Sequence, residues 1–304
     1  MEIWLYFLSL AIAPTLFVVW YVYSLDRWEP EPKSLVMKVF FAGILSIIPA
    51  FLIEWGGMAF IATAEPHPSL WTTALVAFII VAVTEEACKY LPFKIMIGSH
   101  EEFDEKIDGV VYMVAAAMGF AAIENIGYVL IFGAQFSVLK ATQVGLARAV
   151  LSTPAHAICS GILGVHLGKA EFTSSDFSAF FTIAKGFFLA VLIHGFYDFF
   201  IFINFPWASV PVLVLGGLYF MKQIHILQED SPYKPEIKEE LVVQQKKEEP
   251  EQQEKKGEGK QEQEKAQEEE RGKEEKKEVV AKTEKEISQV SQDAKAEVKE
   301  EKKE

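Results

Sequence analysis

Seven apolar stretches, each near the length a helix needs to cross a bilayer, constrain this chain more than any other feature. A hydrocarbon core of roughly 30 Å takes about 20 mostly apolar residues in a helix. Residues 3–23, 35–55, 70–90, 110–132, 146–167, 180–202 and 207–221 reach or approach that length, the last being short and reached through a tight connection at 204–206. The first stretch has no basic residues before it and is too long for a signal-peptide apolar region, so it reads as a retained membrane helix. The predicted fold class is therefore all-α: a polytopic transmembrane bundle of about seven helices spanning residues 1–225, in a multi-pass protein of the cell membrane.

Residues 226–304 have a different character. Of the 71 charged side chains, 43 lie in the last 77 residues, which are rich in Glu, Lys and Gln. Such a composition cannot bury enough apolar area to offset the entropy of ordering, so a disordered or single-helical, solvated, low-complexity tail is expected. The net charge of -13 excludes a nucleic-acid footprint, which needs basic patches. Cys88 and Cys159 both sit in apolar stretches, with no zinc or redox spacing.

Lys and Arg in short loops set orientation. Arg27, Lys33 and Lys38, then Lys94 and Lys106, then Lys169 fall in or beside the odd-numbered loops, placing the amino terminus outside and the carboxyl terminus inside. Lys140 and Arg148, assigned to the fourth loop, dissent.

A charged group at membrane depth is costly and marks a functional candidate. Four places carry such groups: Glu85, Glu86 and Lys89; Glu124 with Asn125; His156; and His194 with Asp198. On a helix Glu85 and Glu86 project about 100° apart, which argues against one shared role. Lys89, three and four residues on, can pair with either. The competing reading of this group is a solvated helix end before Pro92. Glu124 lies mid-helix among Gly119, Ala121, Ala122 and Gly127, small residues that permit close helix approach. His156 follows Pro154, which removes a backbone hydrogen bond and loosens the helix. The i,i+4 spacing of His194 and Asp198 suits a carboxylate orienting an imidazole, or two ligands of one metal. His67, His100, His166 and His225 read as solvated or interfacial, and Glu54 as interfacial.

The segments TEEACK, GFAAIEN, RAVLSTPAHAICSG and HGFYDF, in this order on successive helices, resemble the motifs of the PrsW family, bacterial intramembrane proteases related to the CAAX-protease and bacteriocin-processing superfamily. The resemblance covers roughly residues 1–225. It implies hydrolysis of a peptide bond in a single-pass membrane protein, the first cut in an anti-sigma factor during envelope stress. It implies catalytic roles for Glu85, Glu86, Glu124, His156, His194 and Asp198, supported by Lys89 and Asn125. Two mechanisms follow from it. In one, His156, His194 and a carboxylate (Glu124 or Glu85) hold zinc or another divalent metal, with Glu86 or Glu85 as general base. In the other, metal-free, a glutamate activates water and a protonated His stabilises the oxyanion. The wider superfamily usually carries His where this chain has Glu124, and often Asn where it has Asp198. The partners implied are the membrane-protein substrate and the lipid bilayer, without nucleic acid. Buried Glu and His also build proton relays, so the competing function is a proton- or cation-coupled transporter; no internal repeat supports it. A non-catalytic seven-helix receptor or scaffold would leave the buried carboxylates unexplained. One tension follows from the orientation, which puts Glu85 and Glu86 toward the cytoplasmic end of their helix, whereas a first cut in an anti-sigma factor comes from outside.

Overall fold

The structure, a computed structural model, describes residues 2–65, 67–235 and seven residues between 271 and 283. Met1–Ile237 forms one compact unit and Lys238–Glu304 a second; the expectation for the tail falls largely outside the described residues. In the first unit seven helices are long and apolar enough to cross a membrane. They are α1 (Glu2–Tyr23), α2 (Lys33–Ala64), α3 (Leu70–Met96), α4 (Asp108–Gln135), α5 (Val138–Glu171), α6 (Asp176–Phe202) and α7 (Ser209–Glu229). A 3-10 turn at Pro206–Ala208 precedes α7. Asn204, in the left-handed region with φ 57°, turns the chain there, a conformation that Asn tolerates better than most residues.

Helices α4 and α5 form the centre. α4 packs against α1, α2, α3 and α5, while α5 also packs against α6 and α7. From Thr153 to Ala170, α5 is buried along almost its whole length. Large apolar side chains such as Trp20, Phe41, Leu45, Phe60, Ile95 and Phe180 point outward instead. That pattern suits a bundle whose outer solvent is lipid.

Backbones, not side chains, meet at the two central interfaces. A Cβ on Gly119 of α4 would sit 1.9 Å from the Phe40 carbonyl oxygen of α2. One on Gly164 of α5 would sit 2.3 Å from the Gly109 carbonyl oxygen of α4. The expected role of Gly119 is thus seen, but Gly127 has nothing within 4 Å of its missing Cβ. Gly127 opens a groove rather than closing an interface.

Two helices widen to π-geometry, at Val76–Val83 in α3 and Arg148–Ser152 in α5. The second has a cause. Pro154 donates no N–H, and its ring crowds the carbonyl four residues back, that of Val150; the wider turn relieves both. No Pro or Gly in Val76–Val83 explains the first. Each π-segment ends just before a motif, at Glu85 and at His156.

Ser137 caps α5 by accepting the Lys140 N–H at 3.2 Å, so the helix begins at Val138 rather than near residue 146. Lys140 and Arg148 are therefore helical residues, not loop residues, and Arg148 is committed to an internal ion pair. Arg148 thus no longer counts against the orientation, whereas Lys140, exposed in the first turn of α5, still does. The connections at 24–32, 97–107 and 172–175, with Arg27, Lys33, Lys38, Lys94, Lys106 and Lys169 in or beside them, lie on the face richer in Lys and Arg (the basic face), which the positive-inside rule assigns to the cytoplasm.

Gly119→Val should destabilise the bundle by about 1–3 kcal/mol through overpacking, read as a lowered thermal unfolding midpoint in detergent. Gly127→Ala should leave the midpoint unchanged.

Candidate active site

The four motifs converge on one buried cluster. Lys89 is fully buried and donates three hydrogen bonds: to Glu85 Oε2 at 2.8 Å, to Glu86 Oε1 at 2.9 Å and to His156 Nδ1 at 2.8 Å. Its ammonium also lies 4.7 Å from the centre of the Phe120 ring. The i+3 and i+4 spacings deliver both carboxylates to one lysine, so the solvated-helix-end reading of Glu85, Glu86 and Lys89 is overturned.

Each histidine is held from behind by a carboxylate. His194 Nδ1 bonds Glu86 Oε1 at 2.9 Å; because the carboxylate accepts, Nδ1 carries a proton, and in the neutral ring Nε2 keeps its lone pair. Glu86 is completely buried, and its other oxygen accepts from Ser160 Oγ at 2.6 Å. The Lys89 ammonium can only donate to His156 Nδ1, which leaves the proton on Nε2. That nitrogen faces Glu124 Oε2 at 2.9 Å. The rings of His156 and His194 stand edge to face, with centroids 5.4 Å apart.

His156 Nδ1, which accepts from Lys89, and His194 Nε2 both face Glu85. Glu85 Oε2 lies 3.7 Å from His156 Nδ1 and 3.6 Å from His194 Nε2. Glu85, His156 and His194 each offer a ligand atom, all within 4.8 Å of one another. Asp198 Oδ2 comes to 3.3 Å from His194 Nε2, as the i,i+4 spacing predicts.

Arg148 was missed by the sequence reading, which placed it in a loop. It lies 2.8 Å from Glu124 Oε2, its Nε donates to Asn125 Oδ1 at 2.6 Å, and it stacks 4.2 Å from the Tyr128 ring centre. Asn125 in turn donates to the Ala11 carbonyl and to Thr153 Oγ1. Asn125 thus ties α4 to α1 and α5, one layer behind the histidines. Ser160 and Glu54 were also missed. Glu54 is not interfacial: it lies inside α2, its Oε1 buried without a hydrogen-bond partner, within electrostatic reach of Glu85 and Glu124. His166, five residues from the basic end of α5, is buried rather than solvated, with Nδ1 on the Ile162 carbonyl at 2.8 Å. His67, His100 and His225 are exposed.

Charge does not balance. With both histidines neutral, the carboxylates of Glu85, Glu86, Glu124 and Asp198 meet only Lys89 and Arg148. Two negative charges are in excess before Glu54 is counted, at a depth where an uncompensated charge costs several kcal/mol.

Glu85 lies 11 residues from the basic end of α3 and 15 from the other, but its partners from α4 and α6 lie deeper. Glu124 lies 16 residues from the basic end of α4 and His194 18 residues from that of α6, about 24 and 27 Å along the axes. Both are nearer the opposite face. The site is therefore at mid-depth, with its more open members, Glu124 at 21% and Asp198 at 13% side-chain exposure, toward the non-basic side.

Comparison with known proteins agrees with this geometry. Residues 31–224 match the family model described as PrsW family intramembrane metalloprotease. Proteins named Protease PrsW are similar over most of the unit. The one from Oceanobacillus iheyensis is 34% identical, covering 74% of this chain and 97% of its own length. That of Geobacillus kaustophilus is 30% identical, covering 75% and 94%, and that of Bacillus subtilis is 30% identical, covering 68% and 88%. No solved structure matches significantly. The chain belongs to the PrsW family of intramembrane metalloproteases.

Proposed function

We propose that this protease cuts a single-pass membrane protein within or beside the bilayer, with His156, His194 and Glu85 as the ligands of a divalent metal. The observation that carries the reading is the orientation of the two imidazoles. Each has one nitrogen backed by a carboxylate and the other facing Glu85, and an ion entering there displaces the Lys89 ammonium from His156 Nδ1 and Glu85 Oε2. Two imidazoles and one carboxylate are a donor set that zinc accepts in catalytic sites, with a further position for water. The excess of two negative charges fits the same ion. When bound, such a metal acidifies water and polarises the scissile carbonyl.

The chain's own residues have separable tasks. Glu86, fully buried and bonded by Lys89, Ser160 and His194, orients His194 and is closed off from the water it would have to deprotonate as a base. Glu124, clamped by Arg148, does the same for His156. Lys89 holds the two adjacent glutamates in place and reaches no substrate. Asp198, beside His194 Nε2 and partly open, is placed to take a proton from water there and return it to the leaving amine.

Substrate reaches the site sideways. A groove of about 570 Å³ opens between α2 and α4, lined by Ile48, Phe51, Leu52, Ile123 and Ile131, with Glu124 as its charged residue. Its apolar walls match an apolar segment of a membrane protein, and it faces lipid rather than water. The substrate we infer is an anti-sigma factor, cut first from the non-basic side; the shared family and the depth of Glu124 and His194 support this.

Three outcomes test the reading with purified protein and a single-pass substrate. Glu85→Gln, His156→Ala and His194→Ala should each lower cleavage by about 10³-fold or more, whereas Glu86→Gln and Glu124→Gln should lower it by about 10–100-fold, as expected of groups behind the ligands. Equal losses in both sets would contradict the division of roles. Removing the metal with a strong chelator should stop cleavage, and adding zinc back should restore it. Gly127→Phe, filling the groove, should slow cleavage of the membrane substrate by about 10-fold or more by misplacing it, with the fold intact by thermal unfolding.

A further inference from the structure

On the basic face, far from the active site, a second group of carboxylates is buried. Asp26 and Glu31 come from the α1–α2 connection, Asp108 is the first residue of α4, and their relative exposures are 4%, 1% and 0%. Each offers a ligand oxygen, all within 4.8 Å of one another. Asp108 is 16 residues from Glu124, about 24 Å along α4.

Protein partners account for only some of the oxygens. Asp108 Oδ2 accepts the Asp104 and Glu105 N–H groups at 3.0 and 2.7 Å, and Glu31 Oε2 accepts from Tyr112. Asp108 Oδ1, Glu31 Oε1 and both oxygens of Asp26 are buried and, apart from the Glu31 N–H beside Asp26, face only other carboxyl groups among the described residues; Asp26 meets Glu105, and Glu31 and Asp108 meet each other, carboxyl against carboxyl. Among the described residues, no Lys or Arg forms an ion pair with any of the three. Glu105, itself buried, crowds Asp26 further. Burial and the Glu105 carboxylate push Asp26 up to about 8, and burial pushes Glu31 up to about 7.

We propose that Asp26, Glu31 and Asp108 bind a hard divalent cation, of which Ca²⁺ is the best fit, and so clamp the α1–α2 connection to the head of α4. Oxygen-only donors select such ions over zinc or copper. Ligands of one Ca²⁺, each at about 2.4 Å, lie at most about 4.8 Å apart, which matches the spread observed. A way in exists: Asp26 also lines a groove of about 580 Å³ between α1 and α2, with Lys33 at its side. The clamp would reach α7 as well, because Ser231 bonds Glu105, Gln228 bonds the Leu25 carbonyl, and Trp28 Nε1 bonds the Gln228 carbonyl at 3.2 Å.

The test is equilibrium binding of radioactive Ca²⁺ to the purified full chain, beside thermal unfolding. About one Ca²⁺ per chain should bind both to the unaltered protein and to the His156→Ala/His194→Ala variant, which separates this site from the active site. Asp26→Asn/Glu31→Gln should weaken binding by at least about 10-fold, since neutral amides supply no charge to a hard cation. Should that variant not fold, Asp108→Asn makes the same test, because its amide oxygen still accepts the two N–H groups. At a Ca²⁺ concentration about 100-fold above Kd the unfolding midpoint should rise by roughly 5–10 °C. The proposal is overturned if neither Ca²⁺, Mg²⁺ nor Mn²⁺ binds stoichiometrically, the carboxylates then sharing protons alone. It is equally overturned if binding occurs but is unchanged in Asp26→Asn/Glu31→Gln and in Asp108→Asn.

Discussion

A buried lysine organises the protease unit. Lys89 has no exposure at all, and an ammonium at that depth must be met on every donor. Glu85, Glu86 and His156 meet it. That single requirement fixes the rotation of α3 about its axis and the position of α5 beside it. The Glu86 oxygen that meets Lys89 also accepts from His194, which brings in α6, while His156 passes the chain of contacts to Glu124 and Arg148. A polar core of this kind is stable only when nearly every member is satisfied. The exceptions, Glu54 Oε1 and Asp198 Oδ2, border the same cluster.

The backbone is shaped to the same end. Close approach at Gly119 and Gly164 brings α2, α4 and α5 near enough for side chains of ordinary length to join across them. The π-segments at Val76–Val83 and Arg148–Ser152 change the phase of α3 and α5 directly before Glu85 and His156. Such bulges often sit at functional sites. In α5 the cause is Pro154, so one residue both widens the turn and positions His156 and Arg148.

Much of this was legible beforehand, for a physical reason. Hydrocarbon tolerates so few charges that Glu85, Glu86, Lys89, Glu124, His156, His194 and Asp198 stood out from an apolar background, and the length rule gave the seven helices. What failed were residues whose class depends on a boundary. Arg148 read as a loop cation because α5 seemed to start near residue 146; the Ser137 cap moves the start to Val138. Glu54 read as interfacial because α2 extends further than apolarity alone suggests. Asp26, Glu31 and Asp108 drew no notice, since acidic residues in loops are ordinarily solvated, and only packing shows that these are not. The division between Glu85 and Glu86 was foreseen from their angular separation, but which of them turns to the open side needed the Ser160 and His194 bonds.

X-ray absorption at the edge of the metal that accompanies the active protein tests the central claim most directly. The account predicts about one ion per chain with two imidazole nitrogens and oxygen neighbours at about 2.0–2.2 Å, and loss of one imidazole in either His156→Ala or His194→Ala. A fully active protein free of metal, or a first shell without imidazole, would contradict it.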